Sequence, residues 1–437
     1  MPAVCTATAS EIVPKDNNRE ENRHRYSPMQ RKPFVNRANP HMRSHTIKAI
    51  LLQPHWIVFS LVGVFFFFFA LDRGGTNVFI WSCGVFLLVQ MAYGDYRIWH
   101  VPRYLLVLSA VAAILVLMSL LFSYQQTGID RIVRIGKMLI IVFSIHFIGR
   151  TETAKHSHTL FGLVMTVSII WQFLARTLFA LPYGTWSNPH YLANVAVLTL
   201  PLVFYYFRTV PAPYNILFVL IAVVDIDPVF RNASRPAFLA LVVSSLFVIT
   251  FFTRSRYRWF GLLAVFGCII LLSITNYAGF FEKLKELIAN VSNEERVTIW
   301  KYSLTMLQDN SPLAWFVGNG IGSTLEILPK YAIPGTFYES FSFPHNSFLQ
   351  ILFENGLIGS VLVFGGLVYL LNLFIKLSHT AVDPTGHLFV NCMMAAFLNC
   401  LVFTSLTVGF YSKYTLYPLA FIIGTLFVML EKSQNGS

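Results

Sequence analysis

Apolar stretches separated by short polar segments run along most of the chain, from residue 54 to residue 431. A helix that crosses a bilayer needs about 20 mostly apolar residues. Stretches that approach this length lie at 54–72, 77–93, 104–123, 135–149, 160–175, 190–207, 214–230, 236–252, 259–276, 346–375, 388–410 and 414–431. The pattern therefore predicts an all-α polytopic membrane protein with about twelve transmembrane helices.

The polar segments divide the chain into four predicted regions. Residues 1–48 are basic and rich in Pro, Asn and Arg, which predicts a flexible cytoplasmic tail. Residues 49–276 are predicted to hold transmembrane helices 1–9, and residues 346–437 to hold helices 10–12. Between these two sets, residues 277–345 form one large loop, which is long enough to build a site outside the membrane.

The distribution of Lys and Arg predicts the orientation of these helices. With both termini cytoplasmic, 19 Lys and Arg face the cytoplasm and 13 face outward, and five of those 13 lie in the long loop. Long loops are nearly exempt from the positive-inside rule, so the informative comparison is 19 against eight. We therefore expect the loop to face outward, into the periplasm of a Gram-negative cell, with the protein in the inner membrane.

Composition and charge exclude two broad classes of protein. Of the 437 residues, 55% are hydrophobic and only 12% are charged, whereas soluble domains carry about 25% charged residues. The net charge of +12 comes from basic residues in the tail and at the ends of apolar runs, which indicates contact with anionic membrane lipids and no nucleic-acid partner. These values exclude an ordinary soluble enzyme and a nucleic-acid-binding domain.

The motifs of the common cofactor and metal sites are absent from the sequence. It has no P-loop, no dinucleotide-binding glycine pattern, no nucleophile elbow and no outward Asp-x-Asp motif. Its five cysteines form no paired framework and no zinc spacing. We therefore expect neither a cofactor nor a catalytic metal, and an enzyme of this kind needs an already activated substrate. A lipid-linked pyrophosphate sugar qualifies, since its leaving group is good and its anion suits arginines.

Two helices are predicted within the large loop. The first begins near Phe280 and has one apolar and one charged face, which is typical of an interfacial element. The second follows a capping box formed by Ser292 and Glu295, and its apolar face is predicted to consist of Val297, Trp300, Leu304 and Leu307. The glycines that follow, at 318, 320 and 322, predict a flexible turn near the membrane.

The end of this loop carries a histidine next to the tenth span. Pro344 presets the backbone for a helix, so His345 is expected in the first turn, where the positive helix end keeps imidazole neutral near pH 7. A neutral imidazole can accept a proton, which makes His345 a candidate catalytic base, with Asn346 beside it as a candidate substrate ligand. The alternative is an interfacial histidine bonded to a loop carbonyl.

Glu354 lies nine residues beyond His345 on the same predicted helix. In a straight helix that separation is about 13 Å and half a revolution, so Glu354 is not expected to contact His345. A carboxylate within a span is a functional-site hypothesis, but we favour a structural role in which it is protonated or bonded to a neighbouring helix. Gly356 and Gly359 allow close helix packing.

Three outward arginines call for an anion, because arginine is not readily neutralised. Arg235 opens the eighth span, Arg296 opens the second loop helix, and Arg176 ends the fifth span. Guanidinium groups clamp phosphate oxygens in a bidentate manner, so these three residues are candidate substrate ligands. The alternative for each is contact with a lipid headgroup or snorkelling to the interface.

Two acidic residues and one aromatic segment allow more than one interpretation. Asp225 and Asp227 either pair with Arg231 or Arg235 in a structural role or form a proton-coupled site. The segment 183–191, which leads into the sixth span, contains aromatic residues that fit a membrane-interface belt or a sugar-stacking surface, and we favour the belt.

Taken together, these motifs resemble the O-antigen ligase family, which is related to O-antigen polymerases and to bacterial protein O-oligosaccharyltransferases. The resemblance covers roughly residues 183–360. It rests on the signature His345-Asn346, Glu354, Gly356 and Gly359, and it is supported by three further motifs, Asn188-Pro189, Ser234-Arg235, and Arg296-x-x-x-Trp300 leading to Gly318-x-Gly320.

The resemblance implies a GT-C-like, metal-independent inverting glycosyltransferase. Such an enzyme takes O-antigen polysaccharide from undecaprenyl pyrophosphate and joins it to lipid A-core at the periplasmic face. By this resemblance His345 deprotonates the acceptor hydroxyl, while Arg235 and Arg296 hold the pyrophosphate and stabilise its departing charge.

Two other functions remain open from the sequence. An O-antigen polymerase or a protein O-oligosaccharyltransferase shares the histidine signature and differs in its acceptor. A secondary transporter or lipid flippase would instead use Asp225, Asp227 and Glu354 as proton relays, but such proteins show repeat symmetry, and the sequence contains no convincing repeat.

Overall fold

A computed structural model gives the fold of the chain, which divides into two units, Met1–Leu51 and Leu52–Ser437. The predicted tail falls in the first unit, outside the residues that the structure describes. Regular structure in the described part of the second unit is helical, without a strand. The structure describes scattered residues between 77 and 88 and the ranges 101–122, 128–150, 154–179, 189–232, 234–252, 255–289, 295–341, 343–381, 383–407 and 409–435.

Seven helices precede the large loop in the described part of the chain. They are α1 (Arg103–Phe122), α2 (Ile129–Arg150), α3 (Ala154–Leu178), α4 (Pro189–Thr209), α5 (Asn215–Arg231), α6 (Arg235–Phe252) and α7 (Ser255–Thr275). Each overlaps one of the apolar stretches that predicted the third to ninth spans. Of the two earlier stretches, 54–72 lies outside the described residues and 77–93 is described only in part.

The loop and the end of the chain supply seven more helices. The loop contains α8 (Phe280–Ala289), α9 (Glu295–Gln308), α10 (Pro312–Val317) and α11 (Thr324–Ile327), with 3₁₀ turns at Tyr277–Gly279, Leu328–Tyr331 and Phe337–Ser340. The last three helices are α12 (Ser347–Thr380), α13 (Pro384–Leu406) and α14 (Lys413–Asn435). Helix α8 begins at Phe280, as predicted, and α9 is described from Glu295, three residues after the predicted cap at Ser292.

Five helices are long and apolar enough to cross a membrane, as judged on the described residues. They are Arg103–Phe122, His190–Thr209, Ser347–Thr380, Pro384–Leu406 and Lys413–Glu431. Two shorter apolar helices lie at Arg235–Phe251 and Gly261–Thr275. Large apolar side chains such as Leu121, Ile274 and Val361 are exposed on these helices, as expected for surfaces that face lipid rather than water.

Helices α4 and α13 lie at the centre of the bundle. Helix α4 packs on α5 and α13, α13 packs on α6, and α14 packs along α2. Their contact faces are apolar, with Phe397, Phe403 and Phe427 fully buried. This packing fixes the N-terminal ends of α4 and α6 relative to the connection between α13 and α14, and these three places contribute to the candidate site.

The large loop has a small hydrophobic core of its own. Helix α9 buries Ile299, Met306 and Leu307, which pack with Leu328 and with Phe353 of α12. The apolar face that we predicted was therefore partly wrong, since Leu304 is 49% exposed. Relative to the prediction, the helix is rotated about its axis, so that Ile299 and the residues one and two turns later face α12.

Helix α12 is broken at Gly356, where the loop packs against it. Gly356 has a φ of +64° inside the helix, and Gly318 has a φ of +84°. A Cβ at either position would collide with the backbone of the other segment, and the amides of Asn319 and Gly320 donate to the carbonyls of Phe353 and Glu354 at 3.0 and 2.9 Å. The predicted flexible turn is thus a tightly packed one, because only residues without a side chain allow this approach.

Candidate active site

His345 immediately precedes α12 and has an unusual backbone conformation. Its φ is +50°, a left-handed value that few residues other than glycine adopt and that is frequent at functional sites. We predicted His345 in the first helical turn, and the structure corrects this, because α12 begins only at Ser347. The side chain of Asn346 caps the helix by accepting from the amides of Phe348 and Leu349, which places His345 just outside it.

The imidazole of His345 is held in one tautomer. Its Nδ1 lies 2.6 Å from the carbonyl oxygen of Thr407, in the connection between α13 and α14. A carbonyl oxygen only accepts hydrogen bonds, so Nδ1 carries the hydrogen and Nε2 keeps its lone pair. The aromatic rings of Phe341 and Phe343 lie beside the imidazole, with centroid distances of 5.2 and 4.5 Å.

The surroundings of His345 keep its ring uncharged. Burial, together with the smaller effects of the charges of Arg296 and His190, lowers the pKa of His345 to about 4, against the opposing effect of the hydrogen bond to Thr407. A histidine with this pKa is neutral throughout the physiological range, so its Nε2 is able to accept a proton.

Electrostatic effects connect three more basic side chains to this place, either directly or through His190. Arg296 acts on both His345 and His190, and Arg235 acts on His190. Arg296 is the second residue of α9, Arg235 is the first residue of α6, and His190 is the second residue of α4. The site therefore joins four segments that are far apart in sequence.

All four segments present a helix N-terminus. The N-terminal end of a helix carries a partial positive charge and unpaired amide donors, and phosphates bind at such ends. With two guanidinium groups added, the cluster of His190, Arg235, Arg296 and His345 suits an anionic group. We call these four residues the outer cluster.

Glu354 lies elsewhere, in a buried ion pair that joins α12 to α2. Its Oε1 accepts from Arg131 at 2.6 Å, from Gln350 at 3.1 Å and from the hydroxyl of Thr324. The side chains of Glu354 and Arg131 are 0% and 8% exposed. This arrangement agrees with the structural role favoured for Glu354 and gives it a partner on a neighbouring helix.

Arg176 and Asp227 form a second ion pair, between α3 and α5. Asp227 accepts from Arg176 at 2.8 Å and from Arg231 at 2.7 Å, and the hydroxyl of Tyr277 donates to it at 2.6 Å. Pairing of Asp227 with Arg231 was among the predicted alternatives, whereas Arg176 was expected to bind substrate. In the structure the Arg176 guanidinium instead donates to the carboxylate of Asp227.

Asp225 is buried two residues before Asp227 on the same helix. The hydroxyl of Thr199 donates to it at 2.7 Å, so its partner is on α4 and is neither of the arginines that we predicted. A cleft with about 440 Å³ of empty volume opens between α3, α4 and α5, and Arg176, Thr199 and Asp225 are among its lining residues.

Sequence reasoning missed two residues that the structure brings into play. His190 belongs to the outer cluster. The sequence carried a signal for this residue, because Pro189 starts α4 just before it, as Pro344 comes just before His345. Arg131 gave no such signal, since the fourth span was predicted to start at residue 135 and its partner Glu354 is 223 residues away.

The central part of the chain matches the model of a known protein family. Residues 216–364, about a third of the sequence, match the family model described as O-antigen ligase. This range runs from α5 into α12 and contains Arg235, Arg296 and His345. No curated protein matches the chain. Within the described residues, no three His, Cys, Asp or Glu side chains are grouped so that they could hold a metal ion.

Proposed function

We propose that this chain, whose residues 216–364 match the O-antigen ligase family model, transfers O-antigen polysaccharide from undecaprenyl pyrophosphate to a sugar of lipid A-core. The family consists of glycosyltransferase-like membrane enzymes that use lipid-linked glycans. In this proposal the bundle is GT-C-like, has about twelve spans with both termini cytoplasmic, and carries its site at the periplasmic face of the inner membrane.

The observation that carries the proposal is the convergence of an uncharged imidazole with two guanidinium groups at four helix N-termini. Glycosyl transfer with inversion needs a base for the acceptor hydroxyl and a counter-charge for the leaving group, on opposite sides of the anomeric carbon. Positioning and charge stabilisation supply most of the reduction in barrier for such a displacement.

His345 is the base in this mechanism. Its Nε2 takes the proton of the acceptor hydroxyl as that oxygen forms a bond to the anomeric carbon. The bond between the anomeric carbon and the phosphate oxygen breaks at the same time, and the electron pair leaves with the diphosphate. Because Nδ1 remains bonded to Thr407, the positive charge that develops on the ring is shared with a carbonyl dipole.

Arg235 and Arg296, together with His190, receive the charge of the departing diphosphate. Guanidinium groups bind phosphate oxygens in a bidentate manner, and the adjoining helix ends add amide donors. In this mechanism the protein's own cations supply the counter-charge, so the proposal includes neither a catalytic metal nor a cofactor.

The remaining predicted ligands have different parts in the proposal. Asn346 uses its carbonyl oxygen as a helix cap, and we assign its amide nitrogen to a hydroxyl of the substrate. Arg176 supports the site through Asp227 instead of binding the donor. Glu354, Asp225 and Asp227 belong to the supporting structure.

A polymerase or a protein O-oligosaccharyltransferase would use the same outer cluster with another acceptor. A transporter or flippase would need acidic residues that gain and lose protons, but Glu354 and Asp227 are engaged by arginines, and Asp225 accepts from the hydroxyl of Thr199. The chemistry of the outer cluster therefore favours transfer over transport.

The test is a reconstituted reaction with purified protein, an undecaprenyl-pyrophosphate-linked glycan and two competing acceptors, lipid A-core and free lipid-linked repeat unit. A ligase modifies lipid A-core, and a polymerase lengthens the repeat unit. His345→Ala should abolish transfer, whereas the exposed His379→Ala on α12 should retain it. Absence of transfer to any acceptor, with a folded protein and a matched donor, would contradict the proposal.

A further inference from the structure

We infer that Gln350 is a positioning residue for His345, and that it acts through the connection between α13 and α14. The inference rests on the proposed function, in which His345 is the base, and it adds a set of buried residues that hold this base in place. Gln350 itself is fully buried on α12 and lies one turn and a half beyond the histidine.

The connection between α13 and α14 is the shared element. Its Thr407 carbonyl oxygen accepts from Nδ1 of His345 at 2.6 Å. Three residues later, the amide of Phe410 donates to Oε1 of Gln350 at 2.7 Å. Next to it, the hydroxyl of Tyr411 accepts from the side-chain amide of Asn355 at 2.6 Å. The segment that holds the imidazole is thus itself held by two side chains of α12.

The orientation of the Gln350 amide is fixed from its other end. A carboxylate only accepts hydrogen bonds, so the amide nitrogen must face Glu354, at 3.1 Å, and the amide oxygen must face Phe410. Glu354 is in turn anchored by Arg131 of α2 and by Thr324 of α11. The buried ion pair therefore determines which way the Gln350 side chain points.

This chain of contacts acts on His345 through the Thr407 carbonyl and not through a charged group of its own. The charged and titratable groups that act on the imidazole are Arg296 and His190, and neither belongs to the Gln350 network. The network fixes the position of the Thr407 carbonyl oxygen. That position determines the tautomer of the ring and the direction of Nε2. A displacement of about 1 Å at a reacting group can cost about 100-fold in rate.

The test compares Gln350→Met with Ser360→Ala, a buried position on the same helix outside the network. Both variants are purified as folded protein, and kcat and KM for transfer are measured across pH. We expect Gln350→Met to lower kcat by about 10- to 100-fold with KM nearly unchanged. The acid limb of its rate profile should also move to lower pH, because the Thr407 bond raises the pKa of His345.

A purely structural role for Gln350 would reduce the yield of folded protein without changing kcat per molecule. A folded Gln350→Met protein with the kcat and pH profile of the wild type would overturn the inference, while an inactive His345→Ala variant in the same assay keeps the proposed function. A wild-type protein without transfer activity would overturn both.

A second variant covers the case in which Gln350→Met does not fold. Glu354→Gln keeps the size of the side chain but weakens the anchor of Gln350, so kcat should fall in the same direction and by less, again with KM retained. A Glu354→Gln protein with wild-type kcat and pH profile would equally overturn the inference.

Discussion

Four arginines in the described part of the chain fall into two groups that differ in what lies against them. Arg131 and Arg176 are in contact with carboxylates, at 2.6 Å from Glu354 and 2.8 Å from Asp227. Arg235 and Arg296 act on the imidazoles of the outer cluster. In the first group the charge of the guanidinium is compensated by a carboxylate, and in the second the guanidinium lies in the first turn of a helix.

This difference separates arginines that hold the bundle together from arginines suited to an anionic substrate. A buried ion pair is costly to break, because removing one partner leaves an uncompensated charge. Guanidinium groups at helix N-termini, by contrast, suit an anionic group such as a diphosphate. We therefore expect substitutions in the two groups to change different measured quantities.

The largest effect should come from His345→Ala, which removes the proposed base. A general base contributes about 100- to 10 000-fold to rate, so transfer should fall by that factor while thermal stability stays near that of the wild type. His379→Ala on the same helix is the matched control and should remain active. Substantial transfer by a folded His345→Ala protein would remove this residue from the mechanism.

Of the substitutions at the two compensated arginines, Arg131→Met should cause the larger loss of stability. It leaves the fully buried Glu354 without its cation, and the loss of one partner of a buried pair costs about 3–5 kcal/mol. The measurement is the midpoint of thermal unfolding of purified protein in detergent. An unchanged midpoint would show that the pair does not stabilise the fold.

Arg296→Lys should reduce transfer by about 10- to 100-fold, since lysine keeps the charge but not the bidentate geometry. The exposed Arg258→Lys, in the first turn of α7, is the control for the same chemical change. Equal activity of the two variants would mean that only the charge at position 296 matters and that it does not clamp a phosphate.

Arg176→Gln should have the smaller stability effect of the two compensated positions, about 1–3 kcal/mol for a hydrogen bond to a charged group. Asp227 keeps Arg231 and Tyr277 as partners after the change, whereas Glu354 loses its only paired cation in Arg131→Met. The loss of transfer should be less than that of Arg296→Lys. A reversed order would return Arg176 to the substrate site.

Local pattern predicted the helices well, because burial in lipid or in a bundle needs continuous apolar stretches. Helix α1, predicted at 104–123, spans Arg103–Phe122, and the two loop helices lie where a capping signal and an amphipathic face placed them. The face that α9 buries was only partly predicted, since packing on Phe353 and Leu328 selected it.

The candidate site was predictable wherever a residue's place followed from its neighbours in sequence. Pro344 pointed to His345, and the starts of α6 and α9 pointed to Arg235 and Arg296. The partners of Glu354 and Arg176 were not predictable, because they lie 223 and 51 residues away and depend on which helices meet. The kink at Gly356 likewise depends on the approach of Gly318, which sequence alone does not reveal.

The most direct test of the account is the pH dependence of kcat/KM for transfer by the wild type and by Arg296→Gln. Burial and the neighbouring cations lower the pKa of His345 to about 4, so activity should persist as pH falls and be lost only near that value. Because Arg296 lowers this pKa, Arg296→Gln should move the loss of its residual activity to higher pH. A wild-type midpoint near 6.5, the ordinary value for histidine, with no shift in Arg296→Gln, would contradict the claim that an uncharged His345 and the guanidinium groups act together.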